Sequence, residues 1–131
     1  MVDGARESQG ERPDQGFTKA DRVVKQYDFD RVHQGDWFSA DKYLVVKAAR
    51  NKFEYSRLGL SISRRVGNAV VRNRWKRALR EAFRLNRNDL PTGWDLVVRP
   101  RKGARLDASK LARSLINLTR RIDSNFQRQQ K

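Results

Sequence analysis

Between Arg57 and Asn86 the apolar pattern changes period once, and that change dictates a strand followed directly by a helix. In RLGLSISRRV, Leu58, Leu60 and Ile62 point one way and Arg57, Gly59, Ser61, Ser63 and Arg65 point the other. This alternation predicts a strand with one buried face and an opposite face that is small, polar and basic. A long helix is then predicted over roughly Asn68 to Asn86, with Asn68 as its N-cap. Advancing about 100° per residue puts Val71, Trp75, Ala78, Leu79, Ala82, Phe83 and Leu85 in one arc, the predicted buried side. Arg72, Asn73, Lys76, Arg77, Arg80 and Arg84 fill much of the other side, with Arg74 near its edge. Glu81 is the only acid in that window. A solvated helix intersperses acids for i,i+4 pairing; this one repels itself unless phosphates neutralise it.

Around this unit the chain reads as one α+β domain over residues 17–126, with a disordered extension at 1–16 and a flexible tail at 127–131. A short helix is predicted from Tyr27 to Gln34 and stops at Gly35, with Phe29, Val32 and His33 sharing a face. WFSADKYLVVKAAR predicts one or two strands ending near Arg50, and residues 51–56 a turn. Leu90-Pro91-Thr92-Gly93 breaks the chain before another strand, WDLVVRP, that Pro100 stops. After a basic loop at 101–106, Asp107 is the predicted cap of a last helix striped by Leu111, Leu115, Leu118 and Ile122.

Charge narrows the function. Residues 1–16 carry −2 (Arg6 and Arg12 against Asp3, Glu7, Glu11 and Asp14), and the whole chain carries +15, so +17 belongs to residues 17–131. A domain this basic works against its own compaction and points to a polyanionic partner. A membrane partner is not expected, because no apolar run approaches ~18 residues and the start has no secretory signal pattern. Cysteine is absent, which excludes disulfides and cysteine-based zinc sites. Cytoplasmic nucleic-acid binding is the expectation.

The run RLGLSISRRVGNAVVRNRWKRALREAFR, residues 57–84, closely resembles the signature of the bacterial ribonuclease P protein component. Its RNR box is matched by Arg72, Asn73 and Arg74, followed by Lys76, Arg77 and Arg80, and Gly67-Asn68-Ala69-Val70 matches the approach to it. Weaker likeness extends over residues 17–126, through Asp28, Phe29 and Val32 and through Asp95–Val98. The resemblance implies a two-layer, ribosomal-protein-like α/β sandwich with about four strands and three helices. It also implies a left-handed crossover between the strands flanking the RNR helix, against the usual handedness. It implies an accessory subunit of an endoribonuclease whose large RNA removes the 5′ leader of precursor tRNA with Mg2+, and no obligate protein partner. The RNR residues would bind the catalytic RNA. The leader would lie in a cleft between the first helix and the sheet, lined by residue matching with Phe29, Ser61, Ser63 and Arg65. His33 stands where the family commonly carries a second aromatic, and an imidazole stacks on a base with less area.

Several residues have a plainer reading. His33, the single histidine, has no partner set for general-base work and suits a surface or cleft-lining role. Asp28 and Asp30 read as acids favoured at a helix N-terminus rather than metal ligands, and no metal site is assigned. Trp75 and Trp94 read as core, Trp37 is open, and Phe29 is either core or a stacking surface. Two other functions compete. A ribosomal-type RNA-binding protein would share the basic helix. A self-sufficient nuclease would need converging carboxylates, of which residues 57–87 offer only Glu81.

Overall fold

Asp41 makes the first turn of the sheet. Its carboxylate accepts hydrogen bonds from the amides of Tyr43 (2.8 Å) and Leu44 (2.9 Å), so the chain reverses between β1 (Trp37–Ala40) and β2 (Leu44–Arg50). WFSADKYLVVKAAR is therefore two antiparallel strands, with Trp37 opposite Ala48 and Ala40 opposite Val45. In the computed structural model, which describes residues 17–130, two further strands complete one sheet: β3 (Arg57–Leu60) and β4 (Trp94–Pro100). The strand order is β1-β2-β4-β3, with β4 antiparallel to β2 and parallel to β3. The helices are α1 (Gln26–Gln34), α2 (Ala69–Leu85) and α3 (Ala108–Gln129). Parallel neighbours require a crossover, and α2 is that crossover.

One face of the sheet holds the main core. Leu44, Val46, Ala48, Leu58, Trp94, Leu96 and Val98 meet Trp75, Leu79 and Phe83 of α2 and Leu111, Leu115, Leu118 and Ile122 of α3. All are buried, each contributing about 1.5–3 kcal/mol of transfer free energy if large. Ser114 of α3 donates to the Asp41 carboxylate (2.6 Å), pinning that helix to the β1–β2 turn. By strand alternation the opposite face carries Val45, Lys47, Asp95, Val97 and Gly59. α1 covers part of it with Val32, which is fully buried.

Three sequence expectations change. β3 ends at Leu60, short of the strand expected to run through Arg65. The Ser61 amide still donates to the Val98 carbonyl (3.0 Å), but the next parallel rung needs an N–H from Pro100, which has none. Leu85, expected inside, is 60% exposed. The α3 residues that line the groove beside it, Ala108 and Ala112, are too short to cover it. The tail expected from residue 127 is helix through Gln129, because Phe126 packs edge-on against Trp94 (5.3 Å) and Trp37 (5.7 Å) and ties down the last turns. The expected disorder of residues 1–16 lies outside the described residues.

Candidate nucleic-acid interface

The α2 start is built by three local devices. Ser63 accepts a hydrogen bond from the Arg65 amide and caps a 3-10 turn, Arg64–Val66. Gly67 follows at φ 155°, where a Cβ would sit 2.8 Å from Val71, so only glycine fits the entry to the helix. Asn68 then caps α2, its side chain accepting from the Val71 amide at 3.0 Å.

On the helix so positioned, Asn73, Lys76, Arg77 and Arg80 surround one open concavity of about 250 Å³, with Glu81 at its edge. Four of the six predicted RNA-binding residues thus share a surface. Arg74 is exposed on the flank nearer α3. Arg72 is turned back, its Nε donating to the Gly67 carbonyl at 3.2 Å, so part of its role is to hold the entry turn. Glu81 pairs with Arg84, which offsets the one negative charge that the described residues of α2 place on this face. Arg80 lies over Phe17 (6.0 Å to the ring centroid), and Phe17 packs edge-on against Phe83. Partial burial, then the nearby Arg22 charge, push the Arg80 guanidinium below its ordinary pKa.

The opposite face of the sheet is organised by charge. Asp95 is fully buried and accepts from Arg57 Nε (2.8 Å), Arg57 Nη2 (2.6 Å), Asn51 Nδ2 (3.0 Å) and Arg31. Arg57 also reaches Asp28 of α1 (3.4 Å), and Arg31 reaches Asp28 at 3.3 Å. Burial pushes the Asp95 carboxyl up, but the hydrogen bonds of Arg57 and Asn51 and the charges of Arg57 and Arg31 outweigh it and hold it below the usual carboxylate range. The bond to Asp95, partly opposed by burial, raises Arg57 in turn. This network clamps α1 onto the sheet and was missed from sequence, where Asp28 read as a helix-start acid. The available signal was Asp95 itself, a lone acid in the apolar strand WDLVVRP, which demands a buried cation.

The clamp sets Phe29 over Gly59. A Cβ on Gly59 would lie 3.1 Å from the Phe29 ring and 3.0 Å from Val23, so the ring rests on bare backbone and is only partly buried. His33, one turn on, and Ser61, just past the strand, are exposed. Ser63 and Arg65 are not on the strand floor: with β3 ended by Pro100, they sit in the capped turn leading to α2. The expected cleft floor is therefore Phe29 and Ser61, with Arg65 beside the α2 entry. Trp75 and Trp94 are buried core, and Trp37 is half-buried in the aromatic cluster with Trp94 and Phe126. Among the described residues no three His, Cys, Asp or Glu side chains gather as a metal-holding group. None of the described helices is long and apolar enough to cross a membrane.

Comparisons with known proteins converge. A family model described as Ribonuclease P matches residues 17–123. The chain is 37% identical over 109 residues to the ribonuclease P protein component of Clostridioides difficile, covering 82% of this chain and 96% of that one. With the protein component of Thermotoga maritima it shares 36% over 114 residues, covering 83% and 97%. Among solved structures, the RNase P protein from Thermotoga maritima superposes with a TM-score of 0.72 at 37% identity, covering 77% of this chain and 96% of that one. The Staphylococcus aureus RNase P protein gives 0.68 at 34%, covering 76% and 93%.

Proposed function

The chain belongs to the ribonuclease P protein family, whose members serve as a subunit of the enzyme that matures tRNA 5′ ends, and from that premise we propose how its surfaces divide the work. The exposed side of α2, through Asn73, Arg74, Lys76, Arg77 and Arg80 with Arg72 at its start, binds the catalytic RNA. The face of the sheet beside α1, with Phe29, His33 and Ser61 and with Ser63 and Arg65 at its end, receives the unpaired 5′ leader of precursor tRNA. Cleavage belongs to the RNA and its Mg2+; this chain contributes binding and orientation. It acts in the cytoplasm and needs no obligate protein partner.

The observation that carries this reading is the concavity of Asn73, Lys76, Arg77 and Arg80, where Arg84 pairs with Glu81, the one acid among the described residues that line it. Such a surface matches a line of phosphates and suits no neutral ligand. Titrating the catalytic RNA with the protein at increasing salt tests it. Replacing Lys76, Arg77 and Arg80 by alanine should lower the log–log salt slope by up to about 3, since each lost phosphate contact removes somewhat under one unit. The melting temperature should stay nearly unchanged. An unchanged slope with a lowered melting temperature would make the face structural. Capture from native lysate should recover the catalytic RNA rather than ribosomal subunits.

A further inference from the structure

Leu85 and Leu106, 60% and 42% exposed, both line one groove between α2 and the start of α3. The groove encloses about 410 Å³, within the range that holds small planar groups. Ala78, Ala82, Ala108 and Ala112 line it, together with the exposed Arg74 and Arg77. Glu81 also borders it, already paired with Arg84.

We infer that this groove takes one unpaired nucleotide of the RNA held by α2, its base against the two leucines and the alanines and its phosphate against Arg74 and Arg77. The inference rests on the proposal that α2 binds the catalytic RNA, and extends it from phosphate contacts to a base contact. Three observations favour this occupant. Four alanines, Ala78, Ala82, Ala108 and Ala112, line the groove, and their short side chains leave room for a planar ring. The two cations complement a phosphate attached to that ring. Arg74 and Arg77 also belong to the basic run that defines the RNA-facing side of the helix, so the groove continues that surface without a gap. A second copy of the chain is disfavoured, because a two-fold pairing here would bring Arg74 and Arg77 against their own copies in a chain of net charge +15.

The chain lacks cysteine, so Leu85→Cys offers a single attachment point for a benzophenone. In the complex of the full chain with the catalytic RNA, irradiation should link that position to one or two adjacent nucleotides that chemical probing finds unpaired in the free RNA. The double change Leu85→Ser with Leu106→Ser should weaken RNA binding about tenfold, as loss of one base contact, and leave the salt slope unchanged because no phosphate contact is removed. Wild-type affinity of the double variant would overturn the groove while leaving the phosphate reading of α2 intact. So would links confined to a second copy or another protein, or a fall of many degrees in melting temperature. Arg74→Ala with Arg77→Ala separates the two claims. A lowered slope there supports the phosphate reading, and an unchanged slope overturns both.

Discussion

The two faces of the sheet are closed by different physics. Under α2 and α3 the contact is hydrocarbon: Trp75, Leu79, Phe83, Leu111, Leu115, Leu118 and Ile122 against Leu96, Val98 and Trp94. Under α1 it is a short apolar contact, Val32 with its strand neighbours, plus a knot of four charges, Asp28, Arg31, Arg57 and Asp95. The first arrangement is non-directional and tolerates no space. The second is directional: it sets the position of α1 while leaving the ring of Phe29 and the end of the strand at Ser61 partly open. The difference teaches where function can sit. A face sealed by side-chain volume cannot admit a ligand, whereas a helix held by a few charges at one edge leaves the rest of its span available.

The comparison is sharpest where the effect is largest. Trp75→Ala removes the largest α2 side chain from the sealed face and should cost about 3–5 kcal/mol, read as a fall in urea midpoint. RNA affinity of the remaining folded protein should not change at low temperature. If the variant kept its stability and lost only RNA binding, Trp75 would belong to the outer surface and the sealed face would have a different boundary.

The charged face should fail differently. Asp95→Asn leaves Arg57, whose side chain is 15% exposed, with Asp28 as its one carboxylate partner among the described residues, and should cost about 3 kcal/mol at neutral pH. Acid should mimic it in the wild-type protein. Because the folded Asp95 carboxyl titrates below its unfolded value, its contribution is fully present above about pH 4 and is lost as pH falls through the lower folded value. Unfolding free energy measured in urea at pH 7, 5, 4 and 3 should therefore drop steeply at the acid end for wild type and less for Asp95→Asn. Parallel curves would mean that the network adds no stability through Asp95.

How much was legible in the sequence follows the same division. Periodicity reports hydrocarbon packing, so the stripe Leu111, Leu115, Leu118, Ile122 and the α2 arc through Phe83 were readable, as were the Asn68 and Asp107 caps, whose signals are local. Leu85 was misread because periodicity gives a direction and not the length of what stands opposite. Ser63 and Arg65 were misread because the alternation runs on past Leu60, while the missing N–H that ends the strand belongs to Pro100, far along the chain. The knot around Asp95 joins α1, β3 and β4, and no window of sequence contains it. The basic side of α2 was legible for the opposite reason: a run of like charges with a single acid on one helix face is a local anomaly.

The smallest expected effect tests whether the open part of the charged face is a site. Phe29 lies on Gly59 with its ring only partly buried, in a position to stack an unpaired base of the leader, worth about 1–3 kcal/mol. The same ring also covers backbone, so its loss has a structural component, and the two parts separate by choice of ligand. In the reconstituted holoenzyme, Phe29→Ala should weaken binding of precursor tRNA carrying a leader by about tenfold and leave mature tRNA nearly unaffected. Phe29→Tyr, which keeps the stacking area, should restore the preference. Arg65→Ala should show the same selectivity with a smaller loss, since Arg65 is exposed at the end of the face and stacks nothing. Equal losses for both tRNAs would remove the leader from this face. A Phe29→Ala variant that no longer folds, with Phe29→Tyr binding both tRNAs alike, would return the ring to the core and make the charged face as closed as the other.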